Sequence, residues 1–276
     1  MIDLEWAGSS LESDALAEML QAAAQADAEA GFPQLSAHDP LPPGTTQLLI
    51  WLLPDERTEL VEPSLAAYLR VEPVGEGVAE LSYVVRPEYR SRGITTLALE
   101  KIGLGLDDPG GWQGTGARSL RIWAKASHPA ALRMSLRFRQ LGIRTGARRW
   151  QLVIPLKAGR EIDPGASATM DVHSSAEPEG PLGRWPGAHK LLAADGALWW
   201  REDPGEPTEY GDAGRILAIE GAHQRELLVA VLERLRDGGR RAALITLDAY
   251  DPLVPEALAL GFMHDQTDVL YTVGAR

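Results

Sequence analysis

AELSYVVRPEYRSRGITTLALE, residues Ala79 to Glu100, is the stretch whose reading decides the fold. Leu81 to Arg86 is a short run of apolar, β-branched and aromatic residues, the composition of a buried strand. Pro87 closes it, because proline cannot donate to a ladder and restricts the residue before it. Arg90-Ser91-Arg92-Gly93-Ile94-Thr95 then leads into an apolar-periodic helix carrying Leu97, Leu99 and Ile102. A strand, a basic glycine-containing turn and a helix start make an anion-binding arrangement: the first helical N–H groups lack intrahelical acceptors and carry the positive end of the helix dipole. Gly93 lets backbone approach a ligand, and Arg90 and Arg92 supply phosphate-pairing side chains. The bland alternative is a strand-to-helix corner with solvated arginines.

The whole chain narrows the ligand. Its 276 residues carry a net charge of −12, which excludes a general nucleic-acid or anionic-membrane surface. An anion site here is a local basic pocket suited to a small molecule. There is no cysteine, hence no disulfide frame, thiol nucleophile or thiolate metal site. The histidines do not cluster at metal spacing, and His128 beside Pro129 reads as a helix cap. No apolar run reaches transmembrane length and the N-terminus lacks a signal pattern, so a cytoplasmic protein is expected.

Outward from the motif, residues 11–31 read as a helix starting near Ser13, and Pro33 to Gly44 as a loop. Gln47 to Leu53 and Leu65 to Val71 read as strands, with a hairpin at Gly75 to Gly77 leading into the motif strand. The motif helix is expected over Thr95 to Leu106, with a flexible glycine-rich loop from Asp107 to Gly116. Ser119 to Ala124 is a strand, Ala130 to Leu141 a helix stopped by Gly142, and Trp150 to Leu156 a strand. Residues 158–186 have linker composition, which predicts an N-terminal domain over 1–157 and a C-terminal one over 187–276. Strands at Ala197 to Arg201 and Arg215 to Ile219, flanking a turn region, are followed by a helix over Gln224 to Arg236. Ala242 to Leu247 is a strand, Pro252 to Leu260 a helix, and Phe262 to Val273 a last strand. Helix-strand-helix-strand thus occurs twice, an internal duplication of one α/β (mixed-sheet, α+β) fold.

Arg-x-x-Gly-x-small after a strand ending Val-x-Pro resembles the pyrophosphate-binding motif of the GNAT acetyltransferase superfamily, with Thr95 where that family prefers Gly or Ala. The resemblance implies two tandem GNAT-like modules and acetyl-CoA as acyl donor, held by Arg90, Ser91, Arg92, Gly93, Ile94 and Thr95. It further implies backbone N–H groups of Tyr83, Val84 and Val85 polarising the thioester carbonyl. Glu80, which begins the motif strand, is the implied general base toward a small amine. The helix tyrosine that often serves as general acid in the family is replaced by Phe138 in the first half and Ala257 in the second. The counterpart turn, Ala222-His223-Gln224-Arg225-Glu226-Leu227, lacks the glycine, so the second module is read as degenerate and without its own acetyl-CoA site. LRIWAKASHPAALRMSLRFRQLG and GFMHDQTDVLY, with the tandem order, are similar to segments of the mycothiol synthases. That implies the cysteinyl amine of desacetylmycothiol as acceptor, in a monomer without metal, nucleic acid or membrane partners. The competing expectation is a non-catalytic acetyl-CoA-binding or interaction protein on a decayed GNAT fold.

Overall fold

A computed structural model describes residues 1–8, 11, 13–28, 35, 41–54, 60–157, 179–180, 183–184, 187–193 and 195–274. The predicted linker 158–186 falls almost wholly outside the described residues, as do most of the loop after Pro33 and the turn after Pro54. In chain order the first part contains β1 (Ile2–Ala7), α1 (Asp14–Ala28), β2 (Thr46–Leu52), β3 (Ser64–Gly75), β4 (Val78–Val85), α2 (Ile94–Ile102), β5 (Ser119–Ala124), α3 (Pro129–Arg137) and β6 (Arg144–Pro155). There follow the two-residue pair β7 (Glu179–Gly180) and β8 (Gly183–Arg184), then β9 (Ala188–Ala193), β10 (Gly196–Thr208) and β11 (Gly211–Gly221). The chain ends with α4 (Gln224–Asp237), β12 (Ala242–Asp248), α5 (Leu253–Leu260) and β13 (Met263–Gly274).

The chain forms two compact units, residues 1–147 with 269–274 and residues 148–268. This differs from the expected division at 157. Residues Arg149 to Pro155 of β6 pair antiparallel with β12 of the second unit, while Val269 to Gly274 of β13 pair antiparallel with β5 of the first. The C-terminal part of each last strand therefore joins the unit that its own sequence repeat did not begin.

In the first unit the strand order is β1-β2-β3-β4-β5-β13, with β4 and β5 parallel and the other pairs antiparallel. Alternation along the strands builds a core on each face. Leu81, Tyr83 and Val85 pack with the α2 residues Ile94, Ala98 and Ile102, whereas Val84 packs with the α1 residues Leu16, Met19 and Leu20. β1 was not foreseen from sequence, and its hydrogen bonds go to β2 from Ile2↔Leu52 to Ala7↔Gln47. α2 is shorter than expected because Gly103, at φ 71°, leaves helical geometry. The glycine-rich segment after it is not a flexible loop. Trp112 is 1% exposed, donates its indole N–H to the Gly103 carbonyl and meets Trp6 edge-on at 6.0 Å. Arg118 donates to the carbonyls of Leu106, Asp108 and Pro109, so side chains satisfy the backbone that regular structure does not.

The second unit repeats the crossover: β11 and β12 are parallel and α4 joins them, as α2 joins β4 and β5. Leu227, Leu228, Val231, Leu232 and Leu235 of α4 are fully buried, the i, i+4 stripe read from sequence. Where a turn was expected after Arg201, β10 instead continues to Thr208 against β11 through a bulge. Among the described residues no helix is long and apolar enough to cross a membrane.

Candidate functional site

The motif strand and its neighbour part company where the motif predicts a ligand. β4 and β5 pair in parallel only from Val78↔Ser119 to Leu81↔Ile122, while β4 stays paired with β3 through Val85↔Ala67. The Arg86 N–H donates to the Ala66 carbonyl at 2.9 Å, which sets the phase of that antiparallel ladder. Its alternation turns the N–H groups of Ser82 and Val84 toward β3, and those of Tyr83 and Val85 toward the open edge beside β5. Of the three backbone donors expected from sequence, Val84 is therefore committed to the ladder with Tyr68, and Tyr83 and Val85 face the opening.

Beyond Val85 the chain makes a single 3₁₀ turn, Pro87–Tyr89, then a turn with Ser91 at φ 62° and Gly93 at φ 82° before α2. The first helical bond runs from the Leu97 N–H to the Gly93 carbonyl at 3.0 Å, and no side chain caps the helix. Ile94, Thr95 and Thr96 thus present N–H groups without intrahelical acceptors at the positive end of the dipole. A Cβ built on Gly93 would meet nothing within 4 Å, so the space above the turn is open. Ser91 and Gly93 thus both take left-handed backbone just ahead of the free N–H groups of α2, in the kind of turn that can form an anion-binding concavity.

The two arginines are not equivalent. The Arg90 guanidinium donates two hydrogen bonds to Asp27, at 2.6 and 2.9 Å, and its Nε donates to the Val85 carbonyl at 3.1 Å. It is a brace between α1 and the end of β4, already occupied. Arg92 is exposed and stands 5.9 Å over the Tyr89 ring, where it can reach an anion at the turn. Arg90→Ala is accordingly expected to cost about 1–2 kcal/mol of stability, the loss of a half-exposed bidentate pair, in a urea titration. Arg92→Ala should leave that titration unchanged and weaken anion binding several-fold.

Glu80 and Tyr83 lie on opposite faces of β4. Glu80 sits opposite Arg121 in the β4–β5 register, and Arg121 Nε donates to its Oε2 at 2.9 Å. The carboxylate thus keeps Oε1 for another partner, on the sheet face that carries α1, one residue before the strands separate. Ser82 shares this face. Tyr83 turns into the α2 side, where its hydroxyl oxygen is enclosed and makes no hydrogen bond of normal geometry. The Thr95 side chain is close enough to interact with it. Burial pushes its pKa up from 10.0 to about 12, against a small opposing pull from Thr95. The folded protein keeps a proton that the unfolded chain releases above pH 10.0, so stability should fall as pH rises from there toward about 12. Tyr83→Phe removes that part of the alkaline loss in a denaturation series.

Phe138, at the position of the expected acid, is 8% exposed and cannot donate a proton. His128 is a cap, its Nδ1 accepting from the Ala130 N–H at 3.2 Å. Among the described residues no three His, Asp or Glu side chains gather as a metal site would need.

The second unit keeps the strand separation and lacks the turn. β11 and β12 stop pairing at Ile216↔Ile245, but only Ala222 and His223 lie between β11's end and α4. Gly221 is packed so that a Cβ would fall 2.1 Å from the Asp195 carbonyl, and the Ala222 N–H donates to that same carbonyl at 2.8 Å. Glu226 occupies the first turn of α4, where its charge serves the dipole that an anion would need. Ala257 is fully buried. Arg215 donates to both oxygens of Glu206, to Thr246 at 3.2 Å and to Gln151 at 3.1 Å.

No protein-family model matches the sequence, and no curated protein matches it. Solved structures do match the fold. A tandem GNAT protein from the clavulanic acid biosynthesis pathway aligns over 100% of this chain and 99% of its own, at 14% identity and a TM-score of 0.64. A GCN5-related N-acetyltransferase from Sphaerobacter thermophilus aligns over 99% and 95% at 14% identity, TM-score 0.51. A putative acetyltransferase from Pyrococcus horikoshii aligns over 100% and 90% at 12% identity, TM-score 0.50. The chain has the tandem GNAT fold.

Proposed function

We propose that the first unit binds acetyl-CoA and transfers its acetyl group to a small amine. The observation that carries this is the coincidence, at one end of β4, of an open strand edge and an uncapped helix start reached through a left-handed glycine. The α2 N–H groups and Arg92 would hold the pyrophosphate, and the Tyr83 and Val85 N–H groups would donate to the thioester oxygen as charge develops on it. Glu80, through Oε1, would take the proton from the attacking ammonium directly or through water. Water would protonate the departing thiolate, since Phe138 cannot.

For the acceptor we propose the cysteinyl amine of desacetylmycothiol, on the sequence resemblance alone. Wild-type protein should bind acetyl-CoA in calorimetry and release CoA thiol when that amine is added. Absence of acetyl-CoA binding would sink the reading; binding without thiol release on that amine removes the named acceptor. A second reading, an acetyl-CoA-binding protein without turnover, is favoured by the buried Phe138 and by the Glu80–Arg121 pair. Silence toward a panel of primary amines, with binding intact, would select it.

A further inference from the structure

We propose that the second unit carries an anion-binding pocket, at the end of its sheet away from the strand separation, suited to a small phosphate ester with an apolar body. The pocket stands apart from the acetyl-CoA reading, which uses only the first unit.

Two adjoining recesses of about 440 Å³ each open where β6 ends and β12 begins, at the Pro155↔Ala242 pair, within the size range of small-molecule sites. Ile154, Leu156, Leu260 and Met263 give them an apolar wall. Lys157, Arg236, Arg240 and Arg241 line the rest, and no Asp or Glu is among the described residues that line either recess. Four cations around one cavity run against the balance of a chain whose net charge is −12. Gathered in this way they repel one another, and an anion between them relieves the repulsion.

Backbone seats the arginines. Gly211, at φ 107°, lets the Arg241 stem lie over the hairpin between β10 and β11, where a Cβ would fall 2.7 Å from Arg241 Cδ. The Arg241 N–H donates to the Asp212 carbonyl at 2.9 Å, and its own carbonyl accepts from the Leu156 N–H at 2.8 Å. Arg240 is a brace: its Nη1 lies 2.5 Å from where a Cβ on Gly205 would stand, so the guanidinium rests against β10. Arg236 Nε meets Asp237 at 3.4 Å, but that carboxylate is 74% exposed and its charge is screened by water. The C-terminus of α4, whose free carbonyls would repel an anion, is closed. The carbonyls of Arg234, Leu235 and Arg236 accept from the N–H groups of Gly238, Arg240 and Gly239. Lys157, Arg236 and Arg241 are thus the groups that meet the anion, and the guanidinium fork matches phosphate oxygens. The apolar wall beside them selects an ester over inorganic phosphate, because it gains by covering an apolar body.

Phenyl phosphate, which joins a phosphate to a flat apolar ring, is the probe. Calorimetry on the wild-type chain should show saturable binding at about 1 mM or tighter, several-fold stronger than inorganic phosphate or phenol. Lys157→Glu and Arg241→Glu should each weaken it about tenfold or more. Lys157 is exposed at the end of β6, so Lys157→Glu should match wild type in a urea titration, which separates lost binding from lost folding. Gly93→Asp should leave the phenyl phosphate isotherm unchanged, because the turn of the first unit takes no part. Absence of saturable binding by wild type would overturn the assignment, as would undiminished binding in both charge reversals. Binding lost in Gly93→Asp and kept in Lys157→Glu would also overturn it, by moving the probe to the first unit. None of these measurements needs acetyl-CoA, so either reading can fail while the other stands.

Discussion

Gly93→Asp should weaken acetyl-CoA binding by about a hundredfold or more without unfolding the protein. Gly93 sits at φ 82° and caps α2, and a Cβ there meets no protein atom within 4 Å. Aspartate tolerates left-handed backbone better than most residues, at a cost of about 1 kcal/mol, and a carboxylate at a helix start recovers about as much by accepting from the free N–H groups. The variant therefore fills the anion site with its own anion. A phosphate arriving there meets a like charge and N–H donors already used. Calorimetry reads the loss and a urea titration reads the near-neutral stability. Undiminished binding would mean that the pyrophosphate goes elsewhere.

Glu80→Gln should lower the rate of acetyl transfer by about two to three orders of magnitude, with acetyl-CoA affinity unchanged. Glutamine keeps the size of the side chain and can still accept from Arg121 through its carbonyl oxygen, so the Arg121 contact at 2.9 Å survives. What it cannot do is take a proton from an ammonium. The diagnostic is a fall in kcat on a neutral variant whose binding isotherm matches wild type. An unchanged kcat assigns Glu80 to the support of Arg121 alone. Because the two substitutions act on different steps, the first on binding and the second on turnover, their outcomes separate a site in the wrong place from a site without chemistry.

The tandem α/β order was legible because it rests on local signals: apolar and β-forming runs in β2, β3, β5 and β12, the i, i+4 stripe of α4, and the stops at Pro87 and Gly142. β1 was missed although Ile2–Ala7 alternates hydrophobic and polar residues, because it is one short edge strand whose partner, β2, lies beyond α1 in sequence. The loop after α2 was misread for the converse reason. Its glycines and proline signal flexibility, yet Trp112 anchors it through a contact with Gly103 that no spacing rule encodes.

The candidate site divides along the same line. Sequence alone determined that a strand, a basic turn with a glycine and a helix start stand in succession at residues 79–100, and that the second half lacks the glycine. Those properties are local, set by which residues can adopt left-handed backbone or continue a helix. Tertiary structure decided which groups are open to a ligand. Arg90 is claimed by Asp27, far away in sequence, and Val84 by the ladder with β3. Tyr83 and Val85 face an edge that exists only because β5 diverges after Ile122. The same long-range pairing drew β6 and β13 each into the unit their sequence position would not assign them. A residue's availability depends on its partners in space, and strand exchange and ion pairs choose those partners without regard to distance along the chain.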